Sequence, residues 1–138
     1  MPADLPVLFT NSAGRLLADP AGFLRTCWAA EPRTLADTQA LFSMMGEALW
    51  QRNWCKILVN QVAMQPFSPA EQQWVAQEWL PQAVVHDGYR YGAVVVSADL
   101  YARLATAFIT TSVAGLPLRY RSFDQEDEAE AWLRQQPG

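Results

Sequence analysis

Histidine and cysteine are scarce in this sequence, and their scarcity excludes several kinds of site. The chain of 138 residues has one histidine, His86, and two cysteines, Cys27 and Cys55. A metal site needs further ligands at a fitting spacing, which Asp87 alone does not supply, so no metal is expected. A secreted domain held by disulfides needs more cysteines. We therefore expect both thiols to be reduced and packed among apolar residues.

Catalytic motifs are missing as well. A nucleophile needs a base beside it, but His86 stands in a turn sequence and is predicted to be a surface residue. Gly88 and Gly92 lack the spacing of a phosphate-binding loop. The carboxylates of residues 126–130 fit the first turn of a solvated helix, where the helix dipole favours negative charge. We therefore expect no catalytic residue, no cofactor and no enzymatic activity.

Positive charge and long apolar runs are also in short supply. Lys and Arg number 10 against 14 Asp and Glu, which gives a net charge of −4. Proteins that hold nucleic-acid phosphates or anionic membranes normally have the opposite balance. No run approaches the roughly 20 apolar residues that span a bilayer, and the N-terminus lacks the basic segment of a signal peptide. These features predict a cytoplasmic protein with no membrane span and no nucleic-acid partner.

Apolar residues, by contrast, are abundant. Hydrophobic residues make up 51% of the chain and aromatic residues 12%, with six tryptophans. This length and composition are typical of a single packed domain, residues 1–138, that needs no metal or disulfide to fold. Large rings of this kind either fill a core or line a pocket or an interface.

The first thirty residues predict an antiparallel meander. Short β-prone runs alternate with turn sequences rich in Asn, Asp, Pro and Gly. These runs are residues 7–10, 15–18 and 23–29. Apolar residues then recur every three or four positions, which predicts a helix that is capped by Thr34 or Asp37 and ends at about Trp54.

From residue 33 onward, helices and strands alternate. The predicted strands are residues 56–60, 89–97 and 118–123. Ser68, Pro69 and Glu71 have the pattern of a helix-starting capping box, and this helix is expected to break at Pro81 and to resume as far as Val85. The uniformly apolar part of residues 89–97 is expected at the centre of the sheet. Such alternation predicts parallel strands joined by right-handed crossovers, so the predicted fold is α/β with a mixed sheet of about five to six strands.

Two further helices complete the prediction. One follows Ser97 or Asp99 and has an apolar stripe of Leu100, Leu104, Ala107, Phe108 and Thr111. The last is expected to be capped by Asp124, and its apolar face is formed by Ala129, Trp132 and Leu133.

The element order and several segments resemble the SpoIIAA-like group of STAS-type domains. The segments are KILVN at residues 56–60, EWLPQA at 78–83, GYRYGAVV at 88–95, and YRSF at 120–123 followed by EA and WL. The resemblance is to small stand-alone bacterial proteins of the STAS/SEC14-like kind. It spans nearly the whole chain and implies a SpoIIAA-like fold.

The resemblance also implies functions against which the sequence can be checked. The best-known STAS domains are switches, in which a kinase phosphorylates a serine of an Asp-Ser-x-Gly motif at the start of a helix. The matching residues 60–71 lack this motif, and their single serine, Ser68, is already explained as a helix cap. A phospho-switch is therefore not expected. Other members of the wider group bind small apolar or lipid-like ligands.

Four tryptophans on two successive predicted helices leave two interpretations open. Trp50 and Trp54 share one helix face, and Trp74 and Trp79 lie on the next helix. They either pack in the core, where each indole N–H needs a partner, or some of them line a pocket or an oligomer interface.

Two functions are consistent with these features. The first is a non-enzymatic binding or regulatory module that acts through protein contacts, with self-association as a dimer expected. The alternative is a carrier of a small apolar or lipid-like ligand in a pocket lined by Trp54, Phe67 and Trp74. Ligands of open α/β sheets lie at the carboxyl ends of parallel strands, so Asn60 and Gln61 are the polar residues expected to contact a ligand.

Overall fold

In the described part of the chain, six β-strands form one continuous sheet in which each strand lies beside its neighbours in the sequence. The structure, a computed structural model, describes residues 5–111 and 115–138. The strands are β1 (Val7–Asn11), β2 (Gly14–Asp19), β3 (Phe23–Trp28), β4 (Lys56–Asn60), β5 (Tyr91–Val95) and β6 (Arg119–Phe123).

Helices occupy most of the remaining described residues. They are α1 (Leu35–Arg52), α2 (Pro69–Trp74), a π-helical turn (Val75–Trp79), α3 (Leu80–Val85), α4 (Leu100–Thr111) and α5 (Glu126–Gln135). None of the helices in the described residues is both long and apolar enough to cross a lipid bilayer.

The predicted fold class is confirmed. β1, β2 and β3 pair antiparallel as a meander, and the pairs β3–β4, β4–β5 and β5–β6 are parallel. Helices connect the parallel strands, as expected because each connection must return the chain to the end of the sheet at which the next parallel strand begins. The result is an α/β fold with a mixed sheet.

The two faces of the sheet have separate apolar clusters. Side chains alternate along a strand, so Leu24 of β3 points to one face and Phe23 to the other. The first face packs against α1, the helical stretch of residues 69–85, and α4. The second face packs against α5, whose Leu133 is fully buried against β4 and β5.

α1 begins where the sequence predicts and ends earlier. Thr34 is the N-cap: its hydroxyl accepts from the Asp37 N–H, and the Asp37 carboxylate accepts from the Thr34 N–H. The helix ends at Arg52 because Asn53 takes a left-handed conformation, with φ of 55°. Trp54 therefore lies beyond the helix, and the prediction that Trp50 and Trp54 share a helix face is wrong.

The predicted helical end at Val85 is confirmed, but the expected break at Pro81 is wrong, since the chain is helical on both sides of the proline without a gap. The irregularity comes earlier, in the π-helical turn, where the Leu80 N–H donates to the Val75 carbonyl five residues back. Pro81 then takes one of the first positions of α3, where its missing N–H costs least. The wider turn before the proline takes up the distortion that would otherwise have broken the helix.

Three other predicted details need correction. β5 is not central: it has only β6 beyond it, and its apolar composition reflects helices packed on both faces.

The apolar stripe predicted for α4 also differs from its buried face. Leu104 and Ala107 are exposed on α4, whereas Ala105, Thr106 and Ile109 are buried. The side chains of Leu100, Phe108 and Thr111 lie outside the described part of the structure. The cap of α5 is Gln125 rather than Asp124, and it makes no side-chain capping bond.

Candidate functional site

Asn60 and Gln61, the predicted polar contacts, point to opposite faces of the sheet. The Asn60 amide donates to a Glu126 carboxylate oxygen at 2.8 Å, on the face that α5 covers. Gln61 is buried on the other face, where its amide oxygen accepts from the Thr106 hydroxyl at 3.0 Å. The two residues are neighbours in the chain but belong to different environments.

The predicted aromatic residues are likewise divided among three places. Phe67 is buried and lines a cavity inside the first face of the sheet. Trp74 is half-buried and lines a surface groove. Trp54 lines neither, and its ring lies 5.7 Å from the Arg52 guanidinium. Phe67 and Gln61 are the two predicted residues that the structure brings together, in the cavity.

The cavity lies between the sheet and its helices and is lined mainly by apolar and aromatic side chains. Its volume is about 50 Å³. Ligand sites for drug-sized molecules usually measure about 300–1,000 Å³, so the cavity is too small for a lipid-like ligand as it stands. Trp28 lines it, and the Trp28 indole N–H has no hydrogen-bond partner among the described residues.

A larger depression lies on the surface, between α1 and the helical stretch of residues 69–85. We call it the Trp50 groove. Its volume is about 370 Å³, and its lining is mainly apolar. It is lined by Ser43, Glu47, Trp50, Trp74, Glu78, Trp79, Gln82, His86 and Asp87.

Trp50 is the most exposed ring of this groove. Its side chain is 60% exposed, although the His86 ring stacks on it with centroids 4.8 Å apart and an interplanar angle of 26°. The His86 Nδ1 lies 2.8 Å from an Asp87 carboxylate oxygen, which fixes the imidazole beside the indole. Asp87 in turn packs against Gly46 of α1, where a Cβ would collide with its carboxylate.

The π-helical turn shapes the opposite wall of the groove. Trp74 and Trp79 stand five residues apart, and a π turn closes after five residues, so both rings line the same groove. The Trp79 indole N–H donates to the Phe42 carbonyl of α1 at 2.7 Å, which anchors this wall to the other one. π-helical turns of this kind occur frequently at functional sites.

Three carboxylates line the groove, and one of them, Asp87, is paired with His86. Glu47 and Glu78 are exposed on its two walls, and Asp87 is partly buried at its end. Among its described lining residues there is no Lys or Arg. Glu47 and Glu78 make no ion pair with a described residue, and Glu47 only accepts a hydrogen bond from Gln51.

Outside the groove, several carboxylates are paired with buried arginines. Glu71 receives two bonds from Arg33, at 2.8 and 3.0 Å, as well as the Thr38 hydroxyl and the Ser68 N–H. Burial would raise the pKa of Glu71, but the bonds from Arg33, Thr38 and Ser68 outweigh it and lower that pKa. This cluster builds the start of α2 and is occupied with structural bonds.

The acidic start of α5 serves a buried arginine, which the sequence did not reveal. The Arg25 side chain is 1% exposed and donates to Asp19, Glu126 and Glu130 at 2.8, 2.7 and 2.6 Å. Burial alone would lower the pKa of Arg25, but the bonds to Asp19 and Glu130 have the larger effect and raise that pKa above its ordinary value. The guanidinium therefore stays charged. The prediction that the carboxylates of residues 126–130 form a solvated helix start is therefore wrong for Glu126 and Glu130. The available signal was a lone arginine within the otherwise apolar strand pattern around Phe23.

The remaining reactive groups are poorly placed for catalysis. Cys27 and Cys55 are free thiols, as expected, although both are partly exposed rather than fully packed. Burial raises the pKa of each, and Glu126 raises that of Cys27 further, so neither is an activated thiolate. Burial also raises the pKa of Tyr89 and of Tyr120. No group of three His, Cys, Asp or Glu residues that could hold a metal occurs among the described residues.

No family model, curated protein or solved structure matches the chain. The α/β fold with a mixed sheet defines the class of protein, and the Trp50 groove is a surface depression lined by three tryptophan rings. What the protein does is therefore inferred from the chain's own geometry.

Proposed function

We propose that the protein is a non-enzymatic binding or regulatory module of the SpoIIAA-like type, which works in the cytoplasm through protein contacts made at the Trp50 groove. The observation that supports this most directly is Trp50, a large indole that is 60% exposed at the mouth of a mainly apolar groove. Tryptophan is among the residues most enriched in the energetic centres of protein interfaces. Its exposure is difficult to explain as packing.

The arrangement of polar groups supports binding rather than catalysis. His86 is held by its neighbour Asp87 and stacked on Trp50, with no hydrogen bond from Ser43 or another described nucleophile. The buried carboxylates serve Arg25 and Arg33. A general base must lie within hydrogen-bond reach of the proton that it takes, and no described hydroxyl or thiol of the groove is hydrogen-bonded to His86.

A photocrosslinker placed in the groove tests the proposal. Gln82 is exposed and lines the groove, so Gln82→p-benzoylphenylalanine should crosslink to a partner in cells of the native host. The control is the same substitution at Ala131, which is exposed on α5, on the opposite face of the sheet. We expect a discrete adduct at position 82 that Trp50→Ala abolishes, and none at position 131. The absence of an adduct, or the same adducts at both positions, would contradict the proposal.

The carrier function is the second candidate, and one observation favours it. The Trp28 indole N–H is buried without a described partner beside an apolar cavity, as a donor awaiting an acceptor on a ligand would be. At about 50 Å³ the cavity would have to open before a lipid-like molecule could enter. Native mass spectrometry of protein purified from its own host tests whether the chain carries a ligand. A non-covalent adduct would support a carrier, and a bare chain mass would contradict it.

A further inference from the structure

We propose that the Trp50 groove receives an arginine side chain from a basic segment of the partner protein, with the guanidinium over the Trp50 ring and between the carboxylates of Glu47 and Glu78. The inference rests on the proposed function and specifies the chemistry of the partner.

The rings of the groove suit a planar cation. Trp50 remains mostly exposed even though His86 stacks on it, so much of its indole surface is open to a ligand. Trp74, on the facing wall, is half-buried and packs edge-on against Phe42, with ring centroids 6.0 Å apart. A cation within about 6 Å of an indole face is attracted by the ring's quadrupole, and arginine adds stacking of its flat guanidinium.

The chain's own arginines show what the groove lacks. Elsewhere in the described structure a guanidinium lies 5.2–5.7 Å from an aromatic ring centre. These pairs are Arg25 with Phe23, Arg33 with Trp28 and Phe67, Arg52 with Trp54, and Arg121 with Phe123. No described Lys or Arg lies over Trp50 or Trp74, although both rings line the groove together with carboxylates.

The acidic charge of the groove and of the whole chain also favours a basic partner. Glu47, Glu78 and Asp87 give the groove three acidic side chains, and its described lining holds no Lys or Arg to offset them. The whole chain carries a net charge of −4, so a second copy would approach against repulsion whereas a basic segment would be attracted. The groove, at about 370 Å³, is at the lower end of the size of ligand sites and fits one long side chain better than a helix.

Matched short peptides test this inference on the full chain. A five-residue peptide with two arginines is titrated against the protein, and the same peptide with both arginines replaced by citrulline is the uncharged control. Each of the six tryptophans has one indole N–H, whose signal is followed in a nitrogen-correlated NMR spectrum and assigned by single Trp→Phe variants. We expect saturable shifts of the Trp50 and Trp74 signals with the arginine peptide, and binding at least about tenfold weaker with the citrulline peptide.

Charge-neutral variants complete the test. Glu47→Gln combined with Glu78→Gln should weaken binding of the arginine peptide about tenfold, and added salt should weaken it in the native protein. Glu128→Gln, on the exposed side of α5, should leave binding unchanged. Equal binding of the two peptides, shifts confined to other tryptophans, or an unaffected Glu47 and Glu78 variant would overturn the inference.

The two proposals fail in different ways. A crosslink at position 82 without arginine-peptide binding would leave the docking site standing and overturn the arginine inference. Arginine-peptide binding without a crosslink would support a cation site and contradict the protein-binding function. A crosslinked species of twice the chain mass would identify a second copy as the occupant and overturn the inference of a basic partner.

Discussion

Arg33 is a charged residue that the fold keeps away from solvent. Its side chain is 4% exposed, and its guanidinium lies 5.3 Å from the centre of the Trp28 ring while it binds Glu71. A third bond reaches the Pro66 carbonyl at 3.3 Å. One side chain thereby connects the segment before α1, the loop before α2 and the edge of the apolar cluster.

Loss of this cation should be costly. In Arg33→Met the Glu71 carboxylate would remain buried without a counter-ion, and we expect the free energy of unfolding to fall by about 3–5 kcal/mol. Urea denaturation measures the change. The double variant Arg33→Met with Glu71→Gln should be more stable than the single one, because no buried charge is then left unpaired. A single variant within about 1 kcal/mol of the native protein would show that the pair contributes little.

At the scale of elements, α5 illustrates how a short amphipathic helix is held on the sheet. Ala129 and Leu133 are fully buried, and Trp132 packs against Phe123 and Tyr91, with ring centroids 5.9 and 6.4 Å away. Trp132 is itself only half-buried. It therefore contributes less apolar burial than a tryptophan at the centre of a core would.

Trp132→Ala should destabilise the protein by about 2–3 kcal/mol, below the range for a fully buried tryptophan. Thermal and urea denaturation measure this loss. The matched control is Trp50→Ala, which removes a mostly exposed indole and should cost under about 1 kcal/mol. Equal losses in the two variants would contradict either the docking of α5 or the exposure of Trp50.

Sequence patterns predict the elements well where local chemistry decides them. The sequence predicts β4 with its observed bounds, because the apolar residues 57–59 are flanked by the polar Lys56 and Asn60. The capping box at Ser68 is confirmed: the Ser68 hydroxyl accepts from the Glu71 N–H, and the Glu71 carboxylate accepts from the Ser68 N–H. The π-helical turn before Pro81 was not predicted, because the apolar periodicity of residues 74–79 does not distinguish a π turn from a regular α-helical turn.

The candidate site was less accessible from the sequence. The sequence predicts Trp74 and Trp79 in a pocket or interface as one of two alternatives, whereas it predicts His86 only as a surface turn residue. Its contact with Trp50 joins a residue of α1 to the residue that follows α3, two points far apart in the chain. A periodic pattern gives no information on such contacts, since they arise from tertiary packing.

At the scale of the whole molecule, ion pairs join parts of the chain that lie far apart in the sequence. Arg25 on β3 binds Asp19 of β2 together with Glu126 and Glu130 of α5, so the N-terminal meander and the last helix share one cluster around a buried guanidinium. Arg33 connects the chain before α1 to α2 in a similar way. Both clusters need ionised carboxylates, and they lie on opposite faces of the sheet.

This arrangement should make the protein sensitive to acid. Burial would raise the pKa of Glu130, as it would for Glu71, but hydrogen bonds from Arg25 and Arg134 lower it below its ordinary value. A carboxyl with a lower pKa in the folded than in the unfolded state stabilises the fold above the unfolded pKa of about 4.3. That contribution is lost as the pH falls through the folded pKa.

We therefore expect the contribution of these two carboxylates to be constant near neutral pH and to fall progressively below about pH 5. Urea denaturation between pH 7 and pH 2.5 measures the slope. Glu71→Gln lowers stability at neutral pH but removes one of the groups that must be protonated, so its stability should decline less steeply with acid than that of the native protein. Glu128→Gln, at an exposed position of α5, should retain the native slope. Identical slopes for native protein and Glu71→Gln would show that the buried cluster around Arg33 does not contribute to acid sensitivity.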